Sequence, residues 1–187
     1  MNDAPRVCVV GPGTRFFSGI SVYTHRLVAA LDTTHNVSAI LIRQMMPTWL
    51  YPGKNRVGAT DGWLQYPASA PTFNGLDWYW VPSLFQAARF LLRERPNVVV
   101  LQWWTATALH SYIALAALAH SIGAKVVIEF HETQDTGEAR LRYARWMLQS
   151  MAPLLMRQVD AVIAHSRHDA DALVALHGFD PDRITIV

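Results

Sequence analysis

The polar residues that follow one short apolar run are the first candidates for chemistry. The stretch Lys125–Asp135 reads KVVIEFHETQD, and Val126–Ile128 has the β-branched pattern of a strand buried on both faces. The chain then turns polar within a few residues, with Glu129, His131, Glu132, Thr133, Gln134 and Asp135. Ligands bind at the carboxyl ends of strands in open parallel α/β sheets. The stretch therefore predicts a functional site, and the alternative is that these residues cap and start the next helix.

The first strand-to-helix turn, GPGTRFFSGISVYTHRL, is a second candidate at the same edge of the sheet. Gly11 and Gly13 match the start of a dinucleotide-binding G-x-G-x-x-G pattern, but Phe16 stands where the third glycine should be. NAD binding is therefore disfavoured, and no Gly-Lys-Ser/Thr step of a Walker loop follows. Backbone N–H groups at Ser18–Gly19 would suit a phosphate at the start of a helix. The alternative is an ordinary serine cap.

Metal and nucleophile motifs are weak in this sequence. His165 and His168 lie three residues apart near a helix start and could touch one metal together with Asp169. A capping role is favoured, because no further ligand pattern accompanies them. No G-x-S-x-G nucleophile motif appears. We therefore expect no metal and no cofactor.

Aromatic residues are concentrated in the region Arg43–Pro82, which has no clear period and is predicted to be a long loop. Flat rings beside polar donors stack on sugars and also lie at membrane interfaces. The alternative is that each packs on the sheet. The aromatic residues are Trp49, Tyr51, Trp63, Tyr66, Trp78, Tyr79 and Trp80. The arginines Arg89, Arg93 and Arg95 on one helix are interpreted as a solvated face, and peripheral contact with a membrane is the additional hypothesis.

Composition limits the class of protein. A chain of 187 residues with 51% hydrophobic and 16% charged residues predicts a packed globular domain and excludes general disorder. The net charge of +2 is too small to indicate nucleic-acid binding. The single cysteine, Cys8, lies in an apolar run and is interpreted as a core thiol. With no disulfide pattern and no signal-peptide pattern, we expect a cytoplasmic protein.

The order of elements predicts the fold. Apolar strands are expected at Arg6–Gly11, Val37–Ile42, Asn97–Leu101, Lys125–Phe130, Val159–Ala164 and Arg183–Val187. Helices are expected from Gly19 to Leu31, Ser83 to Arg95, Thr105 to Ile122, Gly137 to Gln158 and Ser166 to His177. Alternating apolar strands and helices predict a Rossmann-like, doubly wound parallel α/β sheet in a single domain.

Two sets of motifs resemble those of a known family. One part of the resemblance is the glycine-containing loop leading to a helix with Ser21 and Tyr23, followed later by the strand that ends in E-F-H-E. The other part is the late strand V-D-A-V-I-A-H-S (Val159–Ser166), then a helix and the segment D-R-I-T-I-V. Together they resemble the N-terminal domain of a GT-B glycosyltransferase of family 4, over essentially the whole chain.

The resemblance implies roles for particular residues. Ser18 and Gly19 would lie beside the donor phosphates, and His131 would be the catalytic histidine of the cleft. Most relatives have Gly-Gly where this chain has Ser18-Gly19, and many have His where it has Gln102-Trp103-Trp104, which implies an acceptor pocket walled by indole. The acceptor-binding residues implied in this way are Tyr23, Gln102, Trp103, Trp104, Glu132 and Asp135.

The function implied by the resemblance is that of the acceptor-side domain, residues 1–187, of a retaining glycosyltransferase. Such an enzyme transfers a sugar from a nucleotide-sugar donor to a hydroxyl of a glycan, lipid or small molecule. The family's C-terminal donor-binding domain has no counterpart in this sequence, so we expect the 187-residue chain alone to be inactive. The alternative is a non-catalytic Rossmann-like binding module or subunit.

Overall fold

Seven short strands form one sheet whose neighbouring strands run parallel where their pairing is described. The computed structural model describes residues 4–15, 19–44, 64–77, 81–132 and 150–187. The strand order is β3-β2-β1-β4-β5-β6-β7, the doubly wound order in which the sheet grows outward from β1 in both directions. The predicted Rossmann-like fold is confirmed. The strands are β1 (Arg6–Pro12), β2 (Asn36–Gln44), β3 (Thr72–Asp77), β4 (Val98–Trp103), β5 (Lys125–Phe130), β6 (Ala161–Ala164) and β7 (Ile184–Ile186).

A described helix lies between every two consecutive strands except β2 and β3, in line with the predicted alternation. Gly123 and Gly178 follow α3 and α5 with positive φ values of 80° and 67°, a backbone conformation that glycine adopts readily. Ser166 caps α5 by accepting a hydrogen bond from the Asp169 N–H. The helices are α1 (Gly19–Leu31), α2 (Val81–Glu94), α3 (Leu109–Ser121), α4 (residues 150–156, within the described part) and α5 (Arg167–His177).

The chain forms two compact units, Met1–Val99 and Val100–Val187. In the first unit the centre of β1 is fully buried, and α1 covers it with Thr24 and Val28. Cys8 lies in this core, where burial raises the pKa of its thiol to about 12. The thiol is therefore protonated and unreactive at neutral pH, and its interpretation as a core residue is confirmed.

The predicted loop Arg43–Pro82 contains a strand that the sequence pattern does not reveal. Strand β3 pairs with β2 in parallel, but the register shifts twice, and Asn74 and Gly75 interrupt its apolar character. Because β3 is an edge strand, it needs only one covered face and lacks the continuous apolar run of the central strands. Outside β3, this region is described at residues 43–44, 64–71 and 81–82; of the seven aromatic residues named for it, Tyr66 is described and the other six lie outside the described residues.

The start of α2 also differs from expectation. The helix begins at Val81 and not at Ser83, because Pro82 is well accommodated in the first helical turn. Ser83 is buried, and its Oγ accepts a hydrogen bond from the N–H of Asp77 and donates one to the Asp77 carbonyl, both at 2.9 Å. On this helix Leu92 is exposed, whereas Phe90 is buried. Ser83 therefore ties the helix to the end of β3.

In the second unit, a 3-10 turn at Ala106–Ala108 precedes α3, so the predicted helix from Thr105 begins later than expected. Thr105 caps that turn by accepting a hydrogen bond from the Thr107 N–H. Most of the predicted helix from Gly137 to Gln158 lies outside the described residues. Among the helices that are described, none is long and apolar enough to cross a membrane.

Candidate functional site

His131 is fixed directly after β5 by the backbone of the sheet. Its N–H donates a hydrogen bond to the carbonyl oxygen of Trp103 at 2.9 Å, which continues the strand pairing by one residue. The side chain is half-buried. His131 therefore lies at the carboxyl end of a central strand, as the sequence predicts.

Two buried polar side chains are linked to His131 by hydrogen bonds. Gln102 is fully buried at the end of β4, and its Nε2 donates to Oε2 of Glu129 at 2.6 Å. The Oε1 of the same amide lies 2.5 Å from Nε2 of His131. An amide oxygen can only accept, so Nε2 of His131 carries the hydrogen. Gln102 thus links the carboxylate of Glu129 to the ring of His131.

A second histidine completes the group. Strands β5 and β6 pair with Glu129 opposite Ile163, so His165 comes directly after β6 on the neighbouring strand. Its Nε2 lies 3.6 Å from Oε1 of Glu129, which is 3% exposed. The rings of His131 and His165 have centroids 5.0 Å apart. We call Gln102, Glu129, His131 and His165 the His131 cluster.

The electrostatics of the cluster favour a neutral imidazole. Burial lowers the pKa of His131 from its ordinary value of 6.5, the negative charge of Glu129 acts in the opposite direction, and His165 lowers it further. The net direction is downward. His131 is therefore uncharged at neutral pH, with one nitrogen as a donor and the other as an acceptor.

Aromatic residues pack around the strand that carries Gln102. The hydroxyl of Tyr112 donates to the backbone carbonyl of Gln102 at 2.7 Å, and Tyr112 is fully buried. Trp103 is 7% exposed and packs against Tyr112 and Phe130 with centroids 6.4 and 5.6 Å away. Trp104 is only partly buried and meets Tyr112 edge-on. Trp103 is thus a core residue, whereas Trp104 retains surface that a ligand could contact.

The other predicted site residues are more scattered. Glu132 is exposed, and Tyr23 is half-buried on α1. Ser18 and Asp135 lie outside the described residues. The roles assigned to all these residues, including acceptor contacts by Gln102 and Trp103, stay predictions.

The glycine-containing turn shows two different glycines. A Cβ at Gly13 would lie 3.0 Å from the carbonyl oxygen of Ile42 and 3.0 Å from Oδ1 of Asn74, and the Gly13 N–H donates to that carbonyl at 2.9 Å. Gly19, at the first position of α1, has no atom of the described residues within 4 Å of an added Cβ. A side chain at position 13 would therefore require atoms of β2 and β3 to move, whereas the described residues place no such demand on Gly19.

Three residues of the His131 cluster have the chemistry of metal ligands. One atom each from Glu129, His131 and His165 lies within 4.8 Å of the others. Ligands around tetrahedral zinc lie about 3.3 Å apart, so the cluster would have to close to hold an ion. The sequence motif considered for a metal was different: Asp169 is engaged with the Ser166 cap and His168 is exposed. The sequence analysis did not connect His165 with His131. Both residues come directly after neighbouring strands, and this shared position is the signal that could have linked them.

Solved structures share this fold at low identity. The structure of Anabaena HepE in complex with UDP has a TM-score of 0.61 and 11% identity over 97% of this chain and 43% of that chain. The UDP-GlcNAc 2-epimerase of Methanocaldococcus jannaschii, in complex with UDP-GlcNAc and UDP, has a TM-score of 0.60 and 18% identity over 97% and 46%. The epimerase from Neisseria meningitidis, bound to UDP-GlcNAc, has a TM-score of 0.59 and 12% identity over 97% and 45%.

The chain thus spans less than half the length of these solved structures. No curated protein sequence gives a significant match. The sequence model of Glycosyltransferase Family 4, however, matches residues 17–187, which include every strand after β1 and the whole His131 cluster. The chain therefore belongs to glycosyltransferase family 4.

Proposed function

We propose that this chain is the acceptor-side domain of a retaining glycosyltransferase, which transfers a sugar from a nucleotide-sugar donor to a hydroxyl of a glycan, lipid or small molecule. The observation that carries the proposal is His131, which lies at the carboxyl end of β5 and is hydrogen-bonded to Gln102, and whose pKa is lowered mainly by burial. Family membership and a fold shared with proteins that bind UDP-glucose or UDP-GlcNAc support it.

In the proposed reaction, His131 binds the donor sugar. Its Nε2–H is donated to Gln102, so Nδ1 is the acceptor nitrogen, and a sugar hydroxyl is the donor that we assign to it. A neutral ring is suited to this role, because an imidazolium would have no acceptor and would add repulsion as positive charge develops at the anomeric carbon. Partial burial of the ring strengthens this interaction.

The leaving diphosphate is assigned to the start of α1. Helix α1 begins at Gly19, and its first N–H groups have no partner within the helix. Such groups, with the positive end of the helix dipole, bind phosphate oxygens. The proposed enzyme therefore requires no metal and no cofactor. No atom of the described residues lies within 4 Å of a Cβ added at Gly19, which supports the approach of a donor phosphate to the backbone there.

We also propose that the enzyme is cytoplasmic and touches a membrane peripherally through α2. Val81 and Phe85 are 64% and 69% exposed on this helix, and Arg89 and Arg93 are exposed beside them. Apolar side chains next to arginines bind the interface of anionic membranes. Sedimentation with phosphatidylglycerol vesicles should be lost in Phe85→Ser, and unchanged sedimentation of that variant would refute the contact through α2.

The decisive experiment uses the longest natural open reading frame that contains this chain. His131→Ala in that protein should reduce turnover by about ten- to a thousand-fold, in line with the loss of one positioned polar group. Its cooperative unfolding should hardly change, because the ring is only half-buried. The control is His168→Ala, since His168 is exposed and outside the cluster.

The 187-residue chain alone should melt cooperatively and transfer no sugar from any member of a panel of nucleotide sugars. Wild-type turnover in His131→Ala would reject the role of His131. Transfer by the 187-residue chain itself would reject its assignment as one half of the enzyme.

A further inference from the structure

Glu129 and Gln102 are polar side chains that are almost completely buried. Gln102 has no exposed surface and Glu129 has 2%. Buried amide and carboxylate groups cost free energy unless they are hydrogen-bonded, and an apolar pair would fill the same space without that cost. Because both are linked to His131 by hydrogen bonds, we expect them to influence function through that residue.

The direction of the first hydrogen bond follows from the carboxylate. Oε2 of Glu129 lies 2.6 Å from the amide group of Gln102. A carboxylate oxygen only accepts, so the NH₂ group of Gln102 must face it. The two ends of an amide are chemically different, so this contact determines that the oxygen of Gln102 faces the other way. That oxygen lies 2.5 Å from Nε2 of His131.

The second hydrogen bond then selects one tautomer of the imidazole. With hydrogen on Nε2, the ring donates to the amide oxygen of Gln102. With hydrogen on Nδ1, two lone pairs would face each other across the same short distance. The loss of the hydrogen bond together with this repulsion disfavours the Nδ1–H form.

We propose that Glu129 and Gln102 are positioning residues, which hold His131 as the Nε2–H tautomer and so keep Nδ1 as the nitrogen that accepts from the donor sugar. The inference rests on the proposed function for the identity of that ligand, but the tautomer itself is a property of this chain. A histidine in the wrong tautomer is a poor partner even when its ring is correctly placed.

The test is nitrogen NMR of histidine-labelled chain at pH 8, where the neutral ring predominates. Wild-type His131 should show a protonated Nε2 and an unprotonated Nδ1. In Glu129→Gln, the new amide can donate or accept, so Gln102 is free to turn over. The ratio of Nε2–H to Nδ1–H should then fall by about tenfold or more, the effect of one hydrogen bond.

A swapped pair provides the rescue. In the double variant Gln102→Glu with Glu129→Gln, the carboxylate stands next to the ring and accepts from both neighbours, so the Nε2–H form should return. The control is His165→Gln, which changes the neighbouring ring but leaves both hydrogen bonds, and it should keep the wild-type tautomer.

Three results would refute the proposal. The first is a predominant Nδ1–H form in the wild type, which needs no variant, so the test does not depend on whether the variants fold. No change in a folded Glu129→Gln variant, or no rescue in a folded double variant, also refutes it.

Turnover separates this inference from the proposed function. In the longest natural open reading frame, Glu129→Gln should lower kcat by about tenfold or more with little change in KM for the acceptor, and the swapped pair should recover part of it. If the NMR result is as expected but His131→Ala is fully active, the positioning of His131 stands and its catalytic role is rejected. If His131→Ala loses activity but the tautomer is unchanged in Glu129→Gln, the catalytic role stands and the positioning proposal is rejected.

Discussion

The imidazole rings of His131 and His165 lie with their centroids 5.0 Å apart and their planes inclined by 33°. At this distance His165 lowers the pKa of His131, whereas the negative charge of Glu129 raises it. The pair therefore allows the sign of each neighbour's effect to be measured separately.

The first prediction concerns the pKa of His131. His165 lowers this pKa and Glu129 raises it, while burial gives the largest downward effect. His165→Gln should therefore raise the pKa of His131, and Glu129→Gln should lower it further. Titration of the ring protons by NMR measures both. Shifts of the same sign in the two variants would contradict the electrostatic account.

The same shift has a consequence for stability. Because the pKa of His131 in the folded state lies below 6.5, the unfolded state binds more protons in the interval beneath that value. The slope of the free energy of unfolding against pH is positive wherever the unfolded state binds more protons. Stability should therefore fall as the pH decreases through this interval, and by less in His165→Gln, where the pKa of His131 is raised.

The second prediction concerns Asp160, which joins the start of β5 to the approach to β6. Its carboxylate accepts from the N–H of Val126 at 2.8 Å, from Lys125 at 2.9 Å and from His120 at 3.0 Å. Burial opposes ionisation, but these hydrogen bonds outweigh it and lower the pKa of Asp160 to about 2.

Asp160→Ala should reduce the free energy of unfolding by about 1–3 kcal/mol, mainly because the Val126 N–H loses its acceptor. The exposed Lys125 contributes little. Urea unfolding measures the change, with Asp171→Ala, an exposed aspartate on α5, as the matched control within about 0.5 kcal/mol of wild type. Equal losses in the two variants would contradict the role of Asp160.

The third prediction concerns Tyr66, whose ring packs edge-on against His25 at 5.2 Å. Its hydroxyl oxygen is buried and has no hydrogen-bond partner among the described residues, and burial raises the pKa of this phenol. Tyr66→Phe should therefore be neutral or stabilising by up to about 1 kcal/mol. Tyr112→Phe, which removes a 2.7 Å hydrogen bond to Gln102, should instead be destabilising. Calorimetry distinguishes them, and a marked loss in Tyr66→Phe would show a partner beyond the described residues.

The central strands were predictable because burial on both faces leaves a continuous apolar run, as in Val98–Leu101. Strand β3 was not, because an edge strand tolerates polar residues such as Asn74 and a shifted register. The pattern therefore reports burial and not strand pairing itself.

The candidate site divides in the same way. His131 was predictable from its place after a buried run. Its partners were not, because Gln102 and Glu129 are 27 residues apart and meet through the register of neighbouring strands. His165 was interpreted as part of a helix cap for the same reason: sequence spacing shows neighbours along the chain, whereas the sheet determines neighbours across it.

The two glycines of the first turn have a consequence for how sequences of this protein would diverge. Gly13 is confined by a backbone carbonyl on β2 and by Asn74 on β3, so a side chain at this position would crowd the sheet whatever the protein binds. Gly19 is under no such constraint from the described residues. In a library of variants selected only for folding, position 13 should remain glycine while position 19 drifts. Under selection for sugar transfer, both should be retained, which makes position 19 a marker of activity and position 13 a marker of architecture.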